Sequence, residues 1–221
     1  QIFGDQDTSI VRRRISRDGG RSWSPIETFI DEPGTFIRNP VIIADNGDWL
    51  LPIFRCRPNP GARWNGADDF SAVKISSDQG RSWNTCDVLE SVGAVHMNIV
   101  KLDGKLVAFY RNRRAEFILR SVSTDNGRSW TAPRPTAVPN NNSSIQARRF
   151  SDGRIVLICN PINAQLAGEA GRPDLTAKLG SKVIWGTPRA PVSLLFSADG
   201  GESFGDFCDR VGNEALHAYA G

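Results

Sequence analysis

Short apolar runs, each interrupted by a polar turn, recur along the chain. Three of them have an Asn-Gly or Asp-Gly pair at the centre: residues 40–51 around Asn46-Gly47, 99–109 around Asp103-Gly104, and 145–158 around Asp152-Gly153. Such a dipeptide between two apolar segments is a strong short-range signal of a β-hairpin. The pattern therefore predicts three hairpins within an all-β fold.

An eight-residue motif alternates with these hairpins and occurs four times. Each copy reads Ser-x-Asp-x-Gly-x-x-aromatic, and the copies span residues 16–23, 76–83, 123–130 and 197–204. The Asp can accept hydrogen bonds from backbone N–H groups of a turn, and the Gly two positions later can adopt a positive φ. The motif thus predicts a corner between two strands with the aromatic ring beneath it. We expect a structural role, at the end of the fold away from any ligand, for Asp18, Asp78, Asp125 and Asp199.

Hairpins and corners together define a unit of four antiparallel strands, A to D, over roughly 50 to 70 residues, which is typical of a β-propeller blade. We predict one β-propeller domain over residues 1–221, apparently incomplete, with about three complete blades and two partial ones. The predicted units are the end of a blade at 1–36, blades at 37–93, 94–138 and 139–211, and the start of another at 212–221. Unpaired edge strands invite association, so missing blades or further copies of the chain are expected to close the ring.

The longest predicted connection, residues 161–184, lies inside the third complete blade. Its Gly, Ala and polar content suggests little core to bury. Long connections without a core of their own are commonly binding loops or disordered. We expect a mobile excursion over the ligand face.

Composition excludes several classes of function. The formal net charge is only +3 and the basic residues form no long run, so no nucleic-acid partner is expected. No apolar run approaches the ~18 residues of a membrane helix, so no membrane association is expected. The cysteines have no metal-ligand spacing, and neither a metal nor another cofactor is predicted. Free buried thiols are the simplest interpretation, with a Cys56–Cys86 disulfide left open, for Cys56, Cys86, Cys159 and Cys208.

Several segments carry a family resemblance: Phe36-Ile37-Arg38-Asn39-Pro40, Trp49-Leu50-Leu51-Pro52, residues 139–146 and residues 185–191. Together with the repeated corners, they resemble the bacterial sialidase (exo-α-neuraminidase) superfamily with Asp-box, or BNR, repeats, and most closely its predicted-neuraminidase branch. The resemblance implies a six-bladed propeller of which this chain is similar to the middle blades. It also implies a glycoside hydrolase that acts on a terminal acidic sugar, and it favours an extracellular or periplasmic location. Arg38 matches the arginine of the family's Arg-Ile-Pro element.

Topology predicts where the chemistry lies. In an up-and-down blade the D–A and B–C connections meet at the axial mouth opposite the Asp corners. A ring of arginines there suits a carboxylate, because guanidinium pairs with it bidentately and stays charged. The candidate substrate-binding residues are Arg38, Asn39, His96, Arg111, Arg113, Arg114, Asn141, Asn142 and Arg189. Neighbours in a strand alternate sides, so only one or two of Arg111, Arg113 and Arg114 are expected to point inward. A salt bridge between blades is the alternative for Arg38, and a core position is the alternative for His96.

Candidate catalytic residues are Asp68, Asp69 and Glu116. The resemblance places the general-acid aspartate in the loop that holds Asp68 and Asp69, and a carboxylic acid there would protonate the leaving oxygen. Glu116 would orient an arginine or act as a base. Sialidases use a tyrosine nucleophile paired with a glutamate. Tyr110 lies inside a predicted strand and Tyr219 near the chain end, so neither matches, and this chain alone is not expected to be a competent sialidase.

Two other classes of function remain open from sequence. A polysaccharide lyase, or a glycosidase acting on uronate-containing glycans, would keep the arginines and need no tyrosine. A non-catalytic glycan-binding propeller would need only the pocket. All three readings share one partner, a carbohydrate that carries a carboxylate group.

Overall fold

The computed structural model describes residues 5–206, which form fifteen β-strands in four antiparallel sheets. The first sheet consists of β1 (Val11–Arg13) and β2 (Glu27–Ile30). The second consists of β3 (Thr35–Ile37), β4 (Ile42–Ile43), β5 (Trp49–Arg55), β6 (Phe70–Ser76) and β7 (Asn84–Asp87). The third consists of β8 (Ala94–Leu102), β9 (Lys105–Asn112), β10 (Phe117–Ser123) and β11 (Arg134–Pro139). The fourth consists of β12 (Gln146–Arg149), β13 (Ile155–Cys159), β14 (Ser193–Ser197) and β15 (Gly205–Asp206).

Apart from β3 and β4, strands that follow one another within a sheet are neighbours, so each sheet is a meander. Two irregularities occur on innermost strands. Both β3 and β4 pair with β5, so the inner strand of the second sheet is broken at Arg38-Asn39-Pro40. On β8 the register shifts between Val95 and Asn98, and His96 between them has a φ of 56°. A bulge of this kind re-aims side chains, and both breaks fall at predicted site residues.

The sheets pack face to face. Leu50 and Val73 of the second sheet share a buried cluster with Tyr110 of the third. Phe109, on the other face of the third sheet, shares a second cluster with Leu157 of the fourth. Strands β5, β6 and β9 therefore bury residues on both faces, which explains the unbroken apolar runs 50–54 of β5 and 106–110 of β9.

Every Asp corner connects the last two strands of its sheet, as the sequence predicted. At Asp78, Oδ1 accepts hydrogen bonds from the backbone N–H groups of Arg81 (3.0 Å) and Ser82 (2.8 Å). The same carboxylate accepts from the hydroxyls of Ser76 and Ser82. These donors favour the ionised form and hold the pKa of Asp78 below its ordinary value.

The aromatic residue of each corner packs on the preceding sheet. Trp83 meets Phe29 of the first sheet edge-on at 5.7 Å between ring centroids. Trp130 lies in the cluster of Leu50, and Phe204 meets Phe109 at 5.6 Å. Trp23, in the first sheet, has no earlier sheet among the described residues and is 54% exposed.

Hairpin turns and Asp corners lie at the same end of the sheets. Asp48 follows the first hairpin turn, and its Oδ2 pairs with Nη2 of Arg128 in the third sheet's corner at 2.5 Å. Because the strands are antiparallel, the B–C connections lie at the opposite end of the sheets. The topology predicts that a ligand would bind at that opposite end.

Residues 161–184 differ from the expectation of a coreless excursion. The segment forms two short helices, α1 (Ala164–Glu169) and α2 (Pro173–Thr176). Their residues Ala164, Ala167 and Leu175 form a buried cluster with Ile184 and with Ala115 of the third sheet's B–C turn. Asn163 caps α1 by accepting a hydrogen bond from the N–H of Leu166. The expectation that this segment has little to bury was wrong, because spaced Ala and Leu residues are enough to seat two helical turns on the loop at Ala115.

One face of the fourth sheet is open among residues 5–206. Ile158 and Leu194 are cross-strand partners there, and both are more than 40% exposed. The blade boundaries and the expected ring closure stay predictions, and residues 212–221 and Tyr219 lie outside the described part.

The cysteines Cys56 and Cys86 are not joined in a disulfide. The Cys86 thiol donates to the Arg128 carbonyl oxygen. Cys208 is not among the described residues. Within residues 5–206 no group of three or more metal-binding side chains occurs. Nor does any helix in that range have the length and apolarity to cross a membrane.

Candidate functional site

Arg111 is the centre of the candidate site. It is the penultimate residue of strand β9 and is 93% buried, with 7% of its surface exposed. Nε donates to Oδ1 of Asn142 (2.7 Å), Nη1 faces Nε2 of His96 (3.5 Å), and the guanidinium lies 5.7 Å from the Trp185 ring centroid. All three neighbours are uncharged. Among residues 5–206, no carboxylate forms an ion pair with Arg111.

Several other arginines lie close enough to act on Arg111 electrostatically. Its pKa is lowered first by burial and then by the positive charges of Arg113, Arg189 and Arg38, and the negative charge of Asp69 opposes this shift. The side chains of Arg38 and Arg189 are exposed. Two accessible cations and one buried cation therefore lie near one another, from the inner-strand break of the second sheet, the end of β9 and the loop segment that precedes β14.

His96 forms the wall beside Arg111. The β8 bulge turns its ring onto Phe54, with centroids 4.8 Å apart, and Nδ1 bonds to Oγ of Ser144 at 2.9 Å. Burial, followed by the charges of Arg111, Arg113 and Arg38, lowers its pKa to about 2. The ring is therefore neutral at physiological pH.

Arg113 and Asp69 form a buried ion pair with Nη2 and Oδ2 2.6 Å apart, and both side chains are at most 1% exposed. Oδ1 of Asp69 also accepts a hydrogen bond from Nε1 of Trp64 at 3.0 Å. The guanidinium of Arg113 lies 5.5 Å from the Trp64 ring and 5.0 Å from the Trp185 ring. These two predicted site residues contact each other and two tryptophans.

The Asn39 amide joins three sheets near the axis. Its Nδ2 donates to the carbonyl oxygen of Met97 at 2.7 Å, and its Oδ1 accepts from Asn98 (2.9 Å) and Gln146 (2.7 Å). Asn98 in turn accepts from the backbone N–H of Ala147. The amide network links the inner strands and leaves Asn39, which is buried, fully engaged.

Asn141 and Asn142 attach the 184–189 segment to the third sheet. Asn141 Nδ2 donates to the carbonyl oxygen of Pro188 at 2.6 Å, and Asn142 Nδ2 donates to that of Ile184 at 2.9 Å. Asn142 has a φ of 58°, a conformation that asparagine tolerates better than most residues. Asn142 thus bridges the segment that carries Trp185 and the Arg111 guanidinium.

The remaining candidates are more open to solvent. Asp68 is exposed, and its Oδ1 lies 3.2 Å from Nζ of Lys182. Arg114 is exposed, whereas Glu116 is half-buried at the end of the B–C turn, directly before β10. Their positions are compatible with contact to a ligand at the mouth, but no contact in residues 5–206 joins them to Arg111.

Sequence reasoning missed the tryptophans and the amide network. Trp185 belongs to a segment that resembles the family, and Trp64 precedes an Asn-Gly pair, but the sequence predicted no function for either side chain. Asn98 lies inside β8 between Met97 and Ile99, and Gln146 follows Ile145 at the start of β12. A polar amide at the same position of successive inner strands was the available signal.

Solved structures of similar fold support a common architecture. The Hadza microbial sialidase Hz136 superposes with a TM-score of 0.63 at 15% identity, over 86% of this chain and 35% of that one. The intramolecular trans-sialidase of Ruminococcus gnavus gives 0.60 at 16% identity, over 87% of this chain and 38% of that one. Trypanosoma rangeli sialidase gives 0.56 at 16% identity, over 88% and 32%. The chain spans about a third of the length of these structures. No curated protein matches it in sequence.

These sheets and this likeness define the class: part of a β-propeller of the sialidase type, the fold of sialidase-like glycoside hydrolases and binding domains. The model of the BNR repeat-like domain matches residues 2–209. The chain belongs to the BNR repeat-like domain family.

Proposed function

We propose that this chain forms part of a sialidase-like glycoside hydrolase that acts on a terminal acidic sugar. Arg38, Arg111 and Arg189 hold the sugar carboxylate. The proposal rests on the family, on the sialidase-type fold, and on the convergence of these arginines at the end of the sheets opposite the Asp corners.

One observation carries the proposal: Arg111 is a buried cation whose contacts are all neutral. Burying a charge without an ion-paired carboxylate is costly, and repulsion from neighbouring arginines adds to the cost. The negative charge of Asp69, which forms no ion pair with Arg111, offsets only part of it. A bound carboxylate would supply the missing charge and accept charge-assisted hydrogen bonds from the guanidinium groups. Arg111 supplies the buried part of this anion site, and Arg38 and Arg189 supply its accessible part.

The general acid in this proposal is Asp68. An acid has to reach the leaving oxygen within hydrogen-bond distance, and Asp68 is exposed whereas both carboxylate oxygens of Asp69 are engaged inside the protein. Tyr110 does not serve as nucleophile. It is fully buried in the core between sheets, its hydroxyl bonds to Oγ of Ser121 at 2.6 Å, and burial raises its pKa.

The first experiment is titration calorimetry of the purified chain with N-acetylneuraminic acid and with its methyl ester. The free acid should bind and the ester should bind much more weakly. Arg111→Gln should weaken binding of the acid about ten- to a hundredfold, the loss expected for one charge-assisted contact of roughly 1.5 to 3 kcal/mol. Arg134→Gln, an exposed arginine on β11, is the matched control and should leave affinity unchanged.

Product analysis on a longer protein that contains this chain separates the alternatives. Release of free N-acetylneuraminic acid from a sialoside supports the hydrolase. Unsaturated uronate products with new ultraviolet absorbance would replace it with the lyase, and binding without turnover would reduce it to a glycan-binding propeller. Equal affinity for the acid and its ester would overturn the carboxylate site itself.

A further inference from the structure

Asp69 has the environment of a structural anchor. The Arg113 guanidinium and the Trp64 indole N–H each bind one of its two oxygens, and the Cys56 thiol lies 3.7 Å from Oδ2. Its side chain has no exposed surface. A sugar oxygen at the mouth cannot reach this carboxylate without first displacing one of these donors.

Gly66 shows how closely the loop covers this pair. A methyl group at Gly66 would lie 3.3 Å from Nε of Arg113 and 3.4 Å from Oδ2 of Asp69. The residue also has a φ of 84°, which glycine adopts without strain. The loop between β5 and β6 therefore covers the ion pair with the backbone at Gly66 and with the indole of Trp64.

Arg113 connects three separate segments through its main chain and side chain. Its N–H donates to the carbonyl oxygen of Gly93 at 2.9 Å, and its own carbonyl oxygen accepts from the N–H of Ile184 at 2.9 Å. The guanidinium packs beside the rings of Trp64 and Trp185, 5.5 Å and 5.0 Å from their centroids, which are 6.4 Å apart. The side chain thus holds the 161–189 segment against the second and third sheets.

Trp185 transmits this arrangement to the candidate site. The same ring lies 5.0 Å from the Arg113 guanidinium and 5.7 Å from that of Arg111. An indole next to a guanidinium attracts it and shields it from water. Displacement of Trp185 would remove a wall of the Arg111 site, and it would also move the segment that ends in Arg189.

We propose that Asp69 and Arg113 are positioning residues: their buried ion pair fixes Trp185 and the 184–189 segment against Arg111, and neither residue contacts the sugar. The role of the fixed segment in sugar binding rests on the proposed function. That the ion pair fixes the segment can be tested on the chain without any ligand.

The test compares Asp69→Asn with Asp68→Asn, an adjacent carboxylate that is exposed. Amide hydrogen exchange followed by mass spectrometry reports on residues 160–191 and on strands β5 and β9. Asp69→Asn should accelerate exchange at residues 182–189, including the Ile184 amide that binds Arg113, while β5 and β9 stay protected. Asp68→Asn should leave residues 184–189 protected. Arg113→Lys should retain part of the protection seen in the unmodified chain, because lysine keeps the positive charge but lacks the planar guanidinium.

Affinity for N-acetylneuraminic acid provides the second readout. Asp69→Asn should weaken sugar binding roughly tenfold, which is the loss expected for one charge-assisted contact. The same variant should show the faster exchange at residues 182–189. Unchanged exchange at 182–189 would overturn the positioning role whatever the affinity does. Equally faster exchange in all sheets would show a general structural role and also overturn it. If the unmodified chain binds no acidic sugar, the proposed function fails, and the exchange data still decide whether Asp69 and Arg113 fix the segment.

Discussion

Nη1 of Arg111 lies 3.5 Å from Nε2 of His96, so a permanent cation faces an imidazole nitrogen. Arginine only donates hydrogen bonds, so Nε2 must be the acceptor. The ring proton then sits on Nδ1 and is donated to Oγ of Ser144. The contact selects one neutral tautomer of His96 and orients the ring that borders the proposed carboxylate site.

The neutral state of His96 predicts a loss of stability in mild acid. The pKa of His96 in the folded chain is lowered to about 2, whereas in the unfolded chain it is about 6.5. As pH falls below 6.5, the unfolded chain binds a proton there and the folded chain does not, so the free energy of unfolding decreases. Urea midpoints between pH 7.5 and 5 should fall for the wild type and change less for His96→Gln. A His96 ring that titrates near pH 6.5 by NMR would contradict this.

Arg38→Ala should weaken binding of N-acetylneuraminic acid about ten- to a hundredfold, because it removes a charge-assisted pair of roughly 1.5 to 3 kcal/mol. Arg38→Lys should recover only part of the affinity, because lysine lacks the bidentate fork. Calorimetry measures both, with Arg134→Ala as control. If Arg38→Ala binds as well as the wild type, Arg38 does not hold the carboxylate.

Two tryptophans of the same motif should differ sharply in their contribution to stability. Trp130 is 94% buried against the second sheet, with 6% exposed, whereas Trp23 is 54% exposed. Trp130→Ala should lower the free energy of unfolding by about 3–5 kcal/mol. Trp23→Ala should cost less than about 1 kcal/mol. Urea unfolding of the two variants checks the difference, and equal losses would contradict packing on the preceding sheet.

Asp78→Asn should destabilise the chain at neutral pH, because asparagine offers one acceptor oxygen where the corner uses two. The pKa of Asp78 is lowered in the folded chain. Its contribution is therefore present above the ordinary pKa of 3.8 and is lost as pH falls below it. The difference in urea midpoint between wild type and variant should shrink below that pH. Asp87→Asn, an exposed aspartate on β7, is the control, and sugar affinity should not change in either variant.

The repeated corners made the fold class predictable from sequence, because each corner needs only residues close together in the chain. Arg111 and His96 were also predictable as neighbours, since both flank connections that meet at the axis. The Asp69–Arg113 ion pair was not predictable, because its partners are 44 residues apart in sequence. The sequence also does not show which of the adjacent Asp68 and Asp69 faces inward. The helices at 161–184 escaped prediction for a related reason. Their small apolar residues acquire meaning only when Ala115 is in place to receive them.

Because the corner aromatics Trp83, Trp130 and Phe204 pack on the preceding sheet, the sheets can assemble in the order in which they are synthesised. During synthesis, Trp83, Trp130 and Phe204 each emerge after the surface that receives them has been made. A new sheet can thus dock as soon as its own corner closes, without waiting for later sequence, which suits folding from the N-terminus onward. Assembly from the C-terminal side would leave every corner aromatic exposed until its predecessor arrived.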